Sequence, residues 1–226
     1  MDPVILSTER LLLRPVGPQD AEDTYAACQD PDIQRWTTVP SPYLREHAEA
    51  FTGTFAPNGW RDDSDYTFAV RLRVTPGADG ARGDSGAAVP AGTPEASEAS
   101  ETPDASEPET EGALVAMVGL MRRGENVAEL GFWAAKEHRG RGYMTEAALA
   151  AARWAFGSAG VERLEWRAEV GNKASRAVAE KAGFTVEGTL RGGLVHGGTR
   201  RDSWVGGLLP GDLGLPTTRA YLPARA

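Results

Sequence analysis

The sequence predicts a single domain of mixed α/β class. Segments with the residue pattern of strands dominate the first half of the chain, and strands alternate with helices after residue 127. One of these later units, at 127–157, is an apolar strand that leads through a glycine-rich turn directly into an amphipathic helix. A chain of 226 residues is long enough to bury one sizeable core.

Seven segments are predicted as strands from their alternating apolar and β-branched residues. They are 10–16, 66–74, 113–123, 127–134, 162–170, 185–190 and 201–208. The second and third should pair as a hairpin, and the sequence GGLVHGGTR joins the last two. In 162–170 the apolar residues Leu164, Trp166 and Ala168 alternate with charged ones, which is typical of a half-buried strand.

Five segments are predicted as helices or helical turns from apolar spacing and from their end signals. They are 18–28, 31–36, 43–55, 142–157 and 172–182. Pro18 stands in a first turn, where the missing N–H is not needed. Gly183 follows the last helix at the position that commonly ends one. Helix 142–157 carries small residues along its expected packing face.

Residues 76–112 are rich in Pro, Gly, Ser, Glu and Ala and contain no aromatic residue. Such a segment cannot bury enough apolar surface to offset the entropy of ordering it. Because both flanks have strand patterns, we expect a disordered loop inside an expanded hairpin turn rather than a linker between domains. Either an inert insertion or a regulatory acidic arm fits this composition. The tail from about residue 214 is expected to be loose.

Charge and composition restrict the class of function. The net charge is −8, but the insertion alone holds nine acids and one arginine, so the remainder is neutral and gives no sign of nucleic-acid binding. No apolar run is long enough to cross a membrane, and residues 1–10 lack the features of a secretory leader. A single cysteine, Cys28, excludes an internal disulfide and favours a reducing, cytoplasmic location. We expect Cys28 to be a small core residue. Three scattered histidines offer no metal-binding spacing.

The turn after strand 127–134 has the features of a phosphate-binding loop. Gly140 and Gly142 remove side chains where a backbone must approach a ligand closely. Arg139 and Arg141 add positive charge, and the helix that starts near Tyr143 directs its positive dipole end to the same place. His138 lies beside this loop.

Several nucleotide motifs can be compared with this loop. A P-loop is absent, because no Gly-Lys-Ser/Thr follows the spacer. A dinucleotide fingerprint would need a glycine or alanine where Thr145 stands, although Glu162 lies at about the right distance for its acidic residue. From these residues alone, a plain strand–turn–helix with two surface arginines also remains possible.

Two motifs together resemble the GNAT N-acetyltransferases, most closely the ribosomal-protein N-terminal (RimJ/RimL-type) branch. Residues 139–144, RGRGYM, look like that family's Arg/Gln-x-x-Gly-x-Gly/Ala loop, with Met144 departing at the last position. Residues 172–184, NKASRAVAEKAGF, are similar to its second motif, about thirty residues later. The resemblance covers about 190 residues, once the insertion is removed.

The resemblance implies a GNAT fold, with a mostly antiparallel central sheet, one splayed parallel pair and flanking helices. It implies acetyl-CoA as co-substrate without a metal, and direct acetyl transfer to an amine, such as the N-terminus of a ribosomal or other protein. A small-molecule amine is an alternative acceptor. Rival hypotheses are a catalytically silent CoA-binding sensor or partner module and a nucleotide-binding module. The sequence leaves open whether the protein is a monomer or a homodimer.

The resemblance also assigns residues to the cofactor. Backbone groups of Phe132, Trp133 and Ala134 would hold the pantetheine arm and the thioester oxygen, because a splayed strand exposes unpaired N–H and C=O groups. The pyrophosphate would bind at the loop and the helix start. Those residues are Arg139, Gly140, Arg141, Gly142, Tyr143, Met144 and Thr145. Asn172, at a helix N-cap, would contact the pantetheine arm, and Ser175 would lie one turn further on the same face.

Three residues are candidates for proton transfer. Glu187 matches a position that RimJ/RimL-type enzymes use for a candidate base. Glu129 lies inside the apolar strand 127–134, where a carboxylate is costly unless it is paired. Ser175 could donate a proton or a hydrogen bond to the departing thiolate. An α-amine, with an ordinary pKa of about 7.7–8.0, needs only a modest base.

Overall fold

The computed structural model describes residues 1–74 and 110–224. Their strands form one eight-stranded sheet in the order β1-β2-β3-β4-β5-β6-β8-β7. The strands are β1 (Leu6–Ser7), β2 (Leu11–Pro15), β3 (Asp65–Val74), β4 (Thr110–Gly124), β5 (Val127–Ala134), β6 (Arg163–Glu169), β7 (Thr185–His196) and β8 (Thr199–Leu208). Among them β5 and β6 are parallel, and the other neighbouring pairs are antiparallel. The predicted mixed α/β class is confirmed.

The described residues form six α-helices that flank the sheet. They are α1 (Ala21–Ala27), α2 (Pro31–Trp36), α3 (Arg45–Ala50), α4 (Ala56–Arg61), α5 (Tyr143–Gly157) and α6 (Lys173–Lys181). The buried face of α5 consists mainly of alanines, as the sequence predicts. Small side chains let this helix lie close against the sheet, and its Trp154 packs edge-on against the core residues Tyr66 and Phe68.

The parallel strands β5 and β6 separate part of the way along their length. Their pairing runs from Val127–Arg163 to Glu129–Glu165, and the later residues of the two strands do not pair with each other. Both strands keep their outer neighbours, since β5 pairs with β4 as far as Ala134 and β6 pairs with β8 as far as Glu169. A wedge-shaped gap therefore opens in the sheet after Glu129, as the predicted splayed pair requires.

The helix predicted at 43–55 has different bounds. It begins at Arg45 and continues past Phe55 through a π-helical turn, Phe51–Phe55, into α4. Pro57 lacks the N–H that an α-helix uses and would interrupt a regular α-helix here. The wider π turn carries the helix into Pro57, with the Ala56 N–H bonded to the Phe51 carbonyl. Trp60, which follows, is buried in the core.

The last two strands are longer than predicted. The segment assigned to a loop, 192–200, belongs mostly to β7 and β8, and only Gly197 and Gly198 form the turn between them. Both glycines have positive φ, at 53° and 73°, as a tight hairpin turn requires. A bulge between Leu190 and Leu194 shifts the register of β7 and made this strand hard to recognise from its pattern.

Most of the predicted acidic insertion, residues 76–109, lies outside the described residues. Its predicted end at residue 112 is too late, because β4 already begins at Thr110. Glu111 accepts a hydrogen bond from Arg14 Nε at 2.6 Å and thereby joins β4 to β2. In the tail, the described residues 214–224 form neither helix nor strand.

In the described part of the chain, no helix combines the length and the apolar character needed to cross a membrane. Within the same residues, no group of three or more His, Cys, Asp or Glu side chains is arranged to hold a metal ion.

Candidate active site

A cleft of about 420 Å³ lies at the open end of the gap between β5 and β6. Four parts of the chain line it: α2, the end of β5, the loop with the start of α5, and α6. The predicted cofactor residues that line it are Phe132, Trp133, Ala134, Arg139, Gly140, Gly142, Tyr143, Met144, Thr145, Asn172 and Ser175. The structure thus brings together residues that are spread over 44 positions of the sequence. Arg141 is the one predicted cofactor residue outside the lining.

The loop before α5 has the backbone of an anion site. Gly140 and Gly142 have φ angles of 76° and 82°, in the left-handed region that favours glycine. Gly142 is the N-cap of α5. The N–H groups of the first helical turn have no partner within the helix, so Tyr143, Met144 and Thr145 present free donors at its positive end. The residues present therefore fit the pyrophosphate of acetyl-CoA.

An unpartnered atom in the cleft also indicates a ligand. His138 lines the cleft, and its Nδ1 atom is buried without a hydrogen-bond partner in the described residues. Buried polar atoms are rarely left unpaired, so a bound group is the natural partner of this one. The sequence placed His138 beside the loop, and the structure confirms that position.

Arg10, which was not predicted from the sequence, hydrogen-bonds both the loop and the first turn of α5. Its guanidinium donates two hydrogen bonds to Glu146, with Nε at 2.8 Å from Oε2, and one from Nη1 to the Arg141 carbonyl at 3.1 Å. The same guanidinium stacks 4.8 Å from the ring centroid of Tyr143. Burial alone would raise the pKa of Glu146, but hydrogen bonds from Thr8 and Arg10 outweigh it and lower that pKa. Arg10 therefore stabilises the turn that presents the backbone N–H groups of residues 143–145 to the cleft.

Two carboxylates at the start of helix α2 pair with Arg139. Its guanidinium pairs with Asp30 and, at 3.2 Å, with Asp32, which lines the cleft. At the other end of α2, Arg35 donates two hydrogen bonds to Glu169, at 2.7 and 2.8 Å, and these bonds lower the pKa of Glu169. Ion pairs thus tie α2 both to the phosphate loop and to the end of β6. The sequence gave no sign that α2 would border the cleft.

The start of α6 places two predicted residues in the cleft. The side chain of Asn172 accepts a hydrogen bond from the Ser175 N–H at 3.1 Å, which confirms the predicted N-cap. The Ser175 hydroxyl oxygen accepts a hydrogen bond from the indole N–H of Trp166 at 3.0 Å. Trp166 lies on β6, so this bond joins α6 to the splayed strand. The contact was not foreseen, because alternation predicted only that Trp166 is buried.

The two candidate bases lie in different surroundings. Side chains alternate along a strand, so Glu129 faces away from the side of the sheet on which its neighbours Ala128 and Leu130 pack into the core with α5. On that opposite face Glu129 borders a groove of about 530 Å³. The other residues of this groove are Arg123, Val127, Glu165, Arg167, Gly193, Leu194 and Val195. The carboxylate of Glu129 accepts a hydrogen bond from Arg123 Nε at 3.1 Å, which gives it the pairing that its position requires.

Glu187 borders neither the cleft nor this groove. Both of its carboxylate oxygens accept hydrogen bonds from Arg163, at 2.7 and 3.1 Å. Arg163 is the first residue of β6, and the far end of that strand, which leads into the cleft, is about 20 Å away at the usual rise per residue. The structure thus does not bring Glu187 together with the other predicted site residues.

The cysteine is buried, as the sequence predicts. Cys28 lies in a small apolar cluster with Ile33, Tyr43 and Ala48. Burial raises the pKa of its thiol to about 12, so it is not a thiolate near neutral pH.

Comparison with known proteins identifies the fold and its family. Residues 10–185 match the family described as acetyltransferase (GNAT) domain. YdaF of Bacillus subtilis (strain 168), a candidate ribosomal N-acetyltransferase, is 38% identical over 94 residues, which are 41% of this chain and 51% of YdaF. The match therefore spans about half the length of that curated relative.

Solved structures share the fold over most of the chain. A candidate ribosomal-protein-serine acetyltransferase from Vibrio cholerae has a TM-score of 0.68 at 21% identity, covering 93% of this chain and 100% of that one. RimJ of Mycobacterium smegmatis, in complex with CoA-disulfide, has a TM-score of 0.69 at 18% identity, covering 95% and 92%. These names support the predicted resemblance to the RimJ/RimL-type branch. Because the family match spans well over half of the 226 residues, the chain belongs to the GNAT acetyltransferase family, whose acyl donor is acetyl-CoA.

Proposed function

We propose that this protein transfers the acetyl group of acetyl-CoA directly to the α-amine of a protein or peptide N-terminus. The observation that carries the proposal is the gap between β5 and β6. The cleft with the phosphate loop opens at its wide end, and the groove with Glu129 lies on the sheet face away from α5, where the two strands stop pairing. A donor in the cleft and an acceptor in the groove would meet across the gap.

Direct transfer needs no acyl-enzyme. The one thiol of the sequence, Cys28, is buried and protonated near neutral pH, and it lies outside the cleft lining. Ser175 accepts a hydrogen bond from an indole N–H, which would not help it to attack as a nucleophile. The amine itself must therefore attack the thioester carbon while its proton leaves to a base.

The proposed base is Glu129, directly or through a water molecule. It borders the groove at the last paired position of the two splayed strands, whereas Glu187 borders neither cavity. Both carboxylates pair with arginines, Glu129 with Arg123 and Arg167 and Glu187 with Arg163, so their position rather than their pairing distinguishes them. An α-amine is about one quarter neutral at pH 7.5, but a lysine ε-amine is only about 0.1% neutral. A carboxylate can therefore assist an α-amine more readily than a lysine ε-amine, which favours an N-terminal acceptor.

Relatives give additional support for the type of acceptor. YdaF and the Vibrio cholerae protein are both candidates for acetylation of ribosomal proteins by name. A ribosomal protein N-terminus is therefore the first acceptor to test. A small-molecule amine is the alternative, and a silent CoA-binding module is the rival from another class.

An acetyl-CoA turnover screen tests the proposal. Free CoA would be measured with peptides that have different N-terminal residues, with the same peptides blocked at the N-terminus, and with small amines. We expect turnover with free N-terminal peptides and loss of turnover after blocking. Turnover with small amines alone would contradict the acceptor class, and binding of CoA without turnover on any amine would support the silent module.

A further inference from the structure

The indole of Trp166 donates a hydrogen bond to a hydroxyl group that lines the cleft. Trp166 is 1% exposed, and its Nε1–H donates to the Ser175 Oγ atom at 3.0 Å. Ser175 lines the cleft, whereas Trp166 lies behind it in the core. The bond therefore runs from the protein interior to the surface at which the cofactor is proposed to bind.

The chemistry of the two groups determines how this bond is oriented. An indole N–H can only donate, and a serine hydroxyl can donate one hydrogen and accept at two lone pairs. Trp166 thus occupies a lone pair and leaves the hydroxyl hydrogen of Ser175 free. No acceptor for that hydrogen is found among the described residues, and the side chain borders the cleft. The hydrogen is available to a ligand.

We propose that Trp166 is a positioning residue for acetyl transfer, directing the Ser175 O–H toward the sulfur of the departing CoA. The inference rests on the proposed function. In this step the amine nitrogen bonds to the acetyl carbon, the carbon–sulfur bond breaks with its electron pair on sulfur, and the amine proton passes to the base. The Ser175 hydroxyl donates a hydrogen bond to the developing thiolate.

Donation from the indole also strengthens the hydroxyl as a donor. Hydrogen bonds in a chain polarise one another, and the effect is larger away from water. Without the indole, the Oγ atom could rotate its hydrogen toward other acceptors. The alternative explanation is that Trp166 serves only as a large core side chain, and the two explanations predict different results when Ser175 is also changed.

A double-mutant cycle separates these explanations. Trp166→Phe keeps an aromatic ring in the core but removes the N–H. We expect it to lower kcat about three- to tenfold, as loss of one neutral hydrogen bond would, with little change in the acetyl-CoA KM. In a Ser175→Ala background, the same change should have no further effect on kcat. Equal losses in both backgrounds, or no loss in either, would overturn the proposal.

Trp204→Phe is the matched control. Trp204 lies on β8 opposite Ala168 of β6, with Arg176 of α6 stacked on its ring at 4.9 Å, and its indole N–H has no hydrogen bond to a described residue. It should leave kcat unchanged in both backgrounds. Melting temperatures of all variants would show whether any loss of kcat comes from unfolding.

A second measurement does not depend on turnover. In an NMR spectrum of ¹⁵N-labelled protein, the indole resonance of Trp166 is identified by its loss in Trp166→Phe. Ser175→Ala should shift it, and CoA should shift it in the wild type but much less in Ser175→Ala. An indole resonance that does not shift in Ser175→Ala would contradict the hydrogen bond between Trp166 and Ser175. A wild-type protein that acetylates no amine would refute both the proposed function and the role of Trp166. An active wild type in which Trp166→Phe lowers kcat by the same factor with and without Ser175→Ala would refute the role of Trp166 alone.

Discussion

Arg163 donates two hydrogen bonds to Glu187, at 2.7 and 3.1 Å, and holds it outside both the cleft and the groove. The resemblance to RimJ/RimL-type enzymes had pointed to Glu187 as a candidate base, and its geometry in this chain favours a structural ion pair. Glu129 is the carboxylate that borders the groove at the start of the gap.

Replacing these two carboxylates should therefore have unequal effects. Glu129→Gln should lower kcat by a factor of about 10² to 10⁴, the usual loss when a general base is removed. Glu187→Gln should lower it less than threefold, because its side chain is 42% exposed and the ion pair contributes little. The measurement is kcat against pH for both variants. A loss of rate and of pH dependence confined to Glu187→Gln would reverse this assignment.

Gly142→Val should weaken acetyl-CoA binding more than tenfold. At a φ of 82° any L side chain is strained, and a Cβ atom there would lie 3.4 Å from Arg10 Nη2, the group that supports the loop. Gly157→Ala, at the end of the same helix and with open space around the added atom, is the control. If calorimetry gives Gly142→Val the wild-type affinity for acetyl-CoA, the assignment of the pyrophosphate to this loop is wrong.

Asp32→Asn should strengthen CoA binding about fivefold at low salt. The carboxylate borders the cleft, so its removal takes away a charge that repels the anionic ligand and leaves Arg139 paired with Asp30 alone. One unit charge a few ångströms from another contributes about 1 kcal/mol in water. The gain should disappear in 1 M salt. Glu49→Gln, on the exposed surface of α3, makes the same charge change and should not alter affinity. Equal gains for both variants would contradict a local effect.

Asp20→Asn should destabilise the fold by about 3–5 kcal/mol, because it removes the one fully buried carboxylate that Arg14 and Arg71 share and leaves them only their more exposed partners. Asp20 is fully buried between Arg14 and Arg71, with contacts of 2.7 Å to both. Asp23→Asn removes an exposed partner of Arg71 and should cost less than about 1 kcal/mol. Thermal unfolding of both variants measures their losses of stability, and equal losses for Asp20→Asn and Asp23→Asn would argue against a buried cluster.

The same carboxylate makes a pH prediction. Burial alone would raise the pKa of Asp20, but hydrogen bonds from Arg14, the Gly17 N–H and Arg71 outweigh it, and the pKa is lowered. The stability that this group contributes is therefore complete above the ordinary carboxyl pKa of about 3.9 and is lost as pH falls through the lower folded-state value. The melting temperature of the wild type should fall with acidification more than that of Asp20→Asn.

Much of the fold follows from sequence patterns, and the errors have physical causes. Strand β5 has the predicted bounds, because alternation ends at a turn. The helix predicted at 43–55 was ended too early, because its continuation into α4 depends on a π-helical turn that local propensity does not reveal. Strand β7 was cut short at the bulge around Gly192, where the period of two is interrupted.

The site was predictable where it follows a local motif. The residues of the loop and of the start of α6 that line the cleft lie close together in sequence. The contributions of Arg10, Asp32 and Trp166 come from residues far apart in sequence, and single-sequence patterns contain no information about such contacts. Glu187 is the opposite case. It stands at the sequence position that the resemblance assigns to a base, but its ion pair with Arg163 depends on the tertiary structure and could not be read from the sequence.

Direct acetyl transfer to an α-amine is the central step of the proposed function. The most direct test uses one peptide that carries both a free N-terminus and an internal lysine, incubated with acetyl-CoA and the protein near pH 7.5, with the acetylated nitrogen located by tandem mass spectrometry. We predict acetylation of the α-amine, abolished by Gly142→Val and strongly reduced by Glu129→Gln. Acetylation of the lysine alone, or an unmodified peptide from protein that binds acetyl-CoA, would contradict the account.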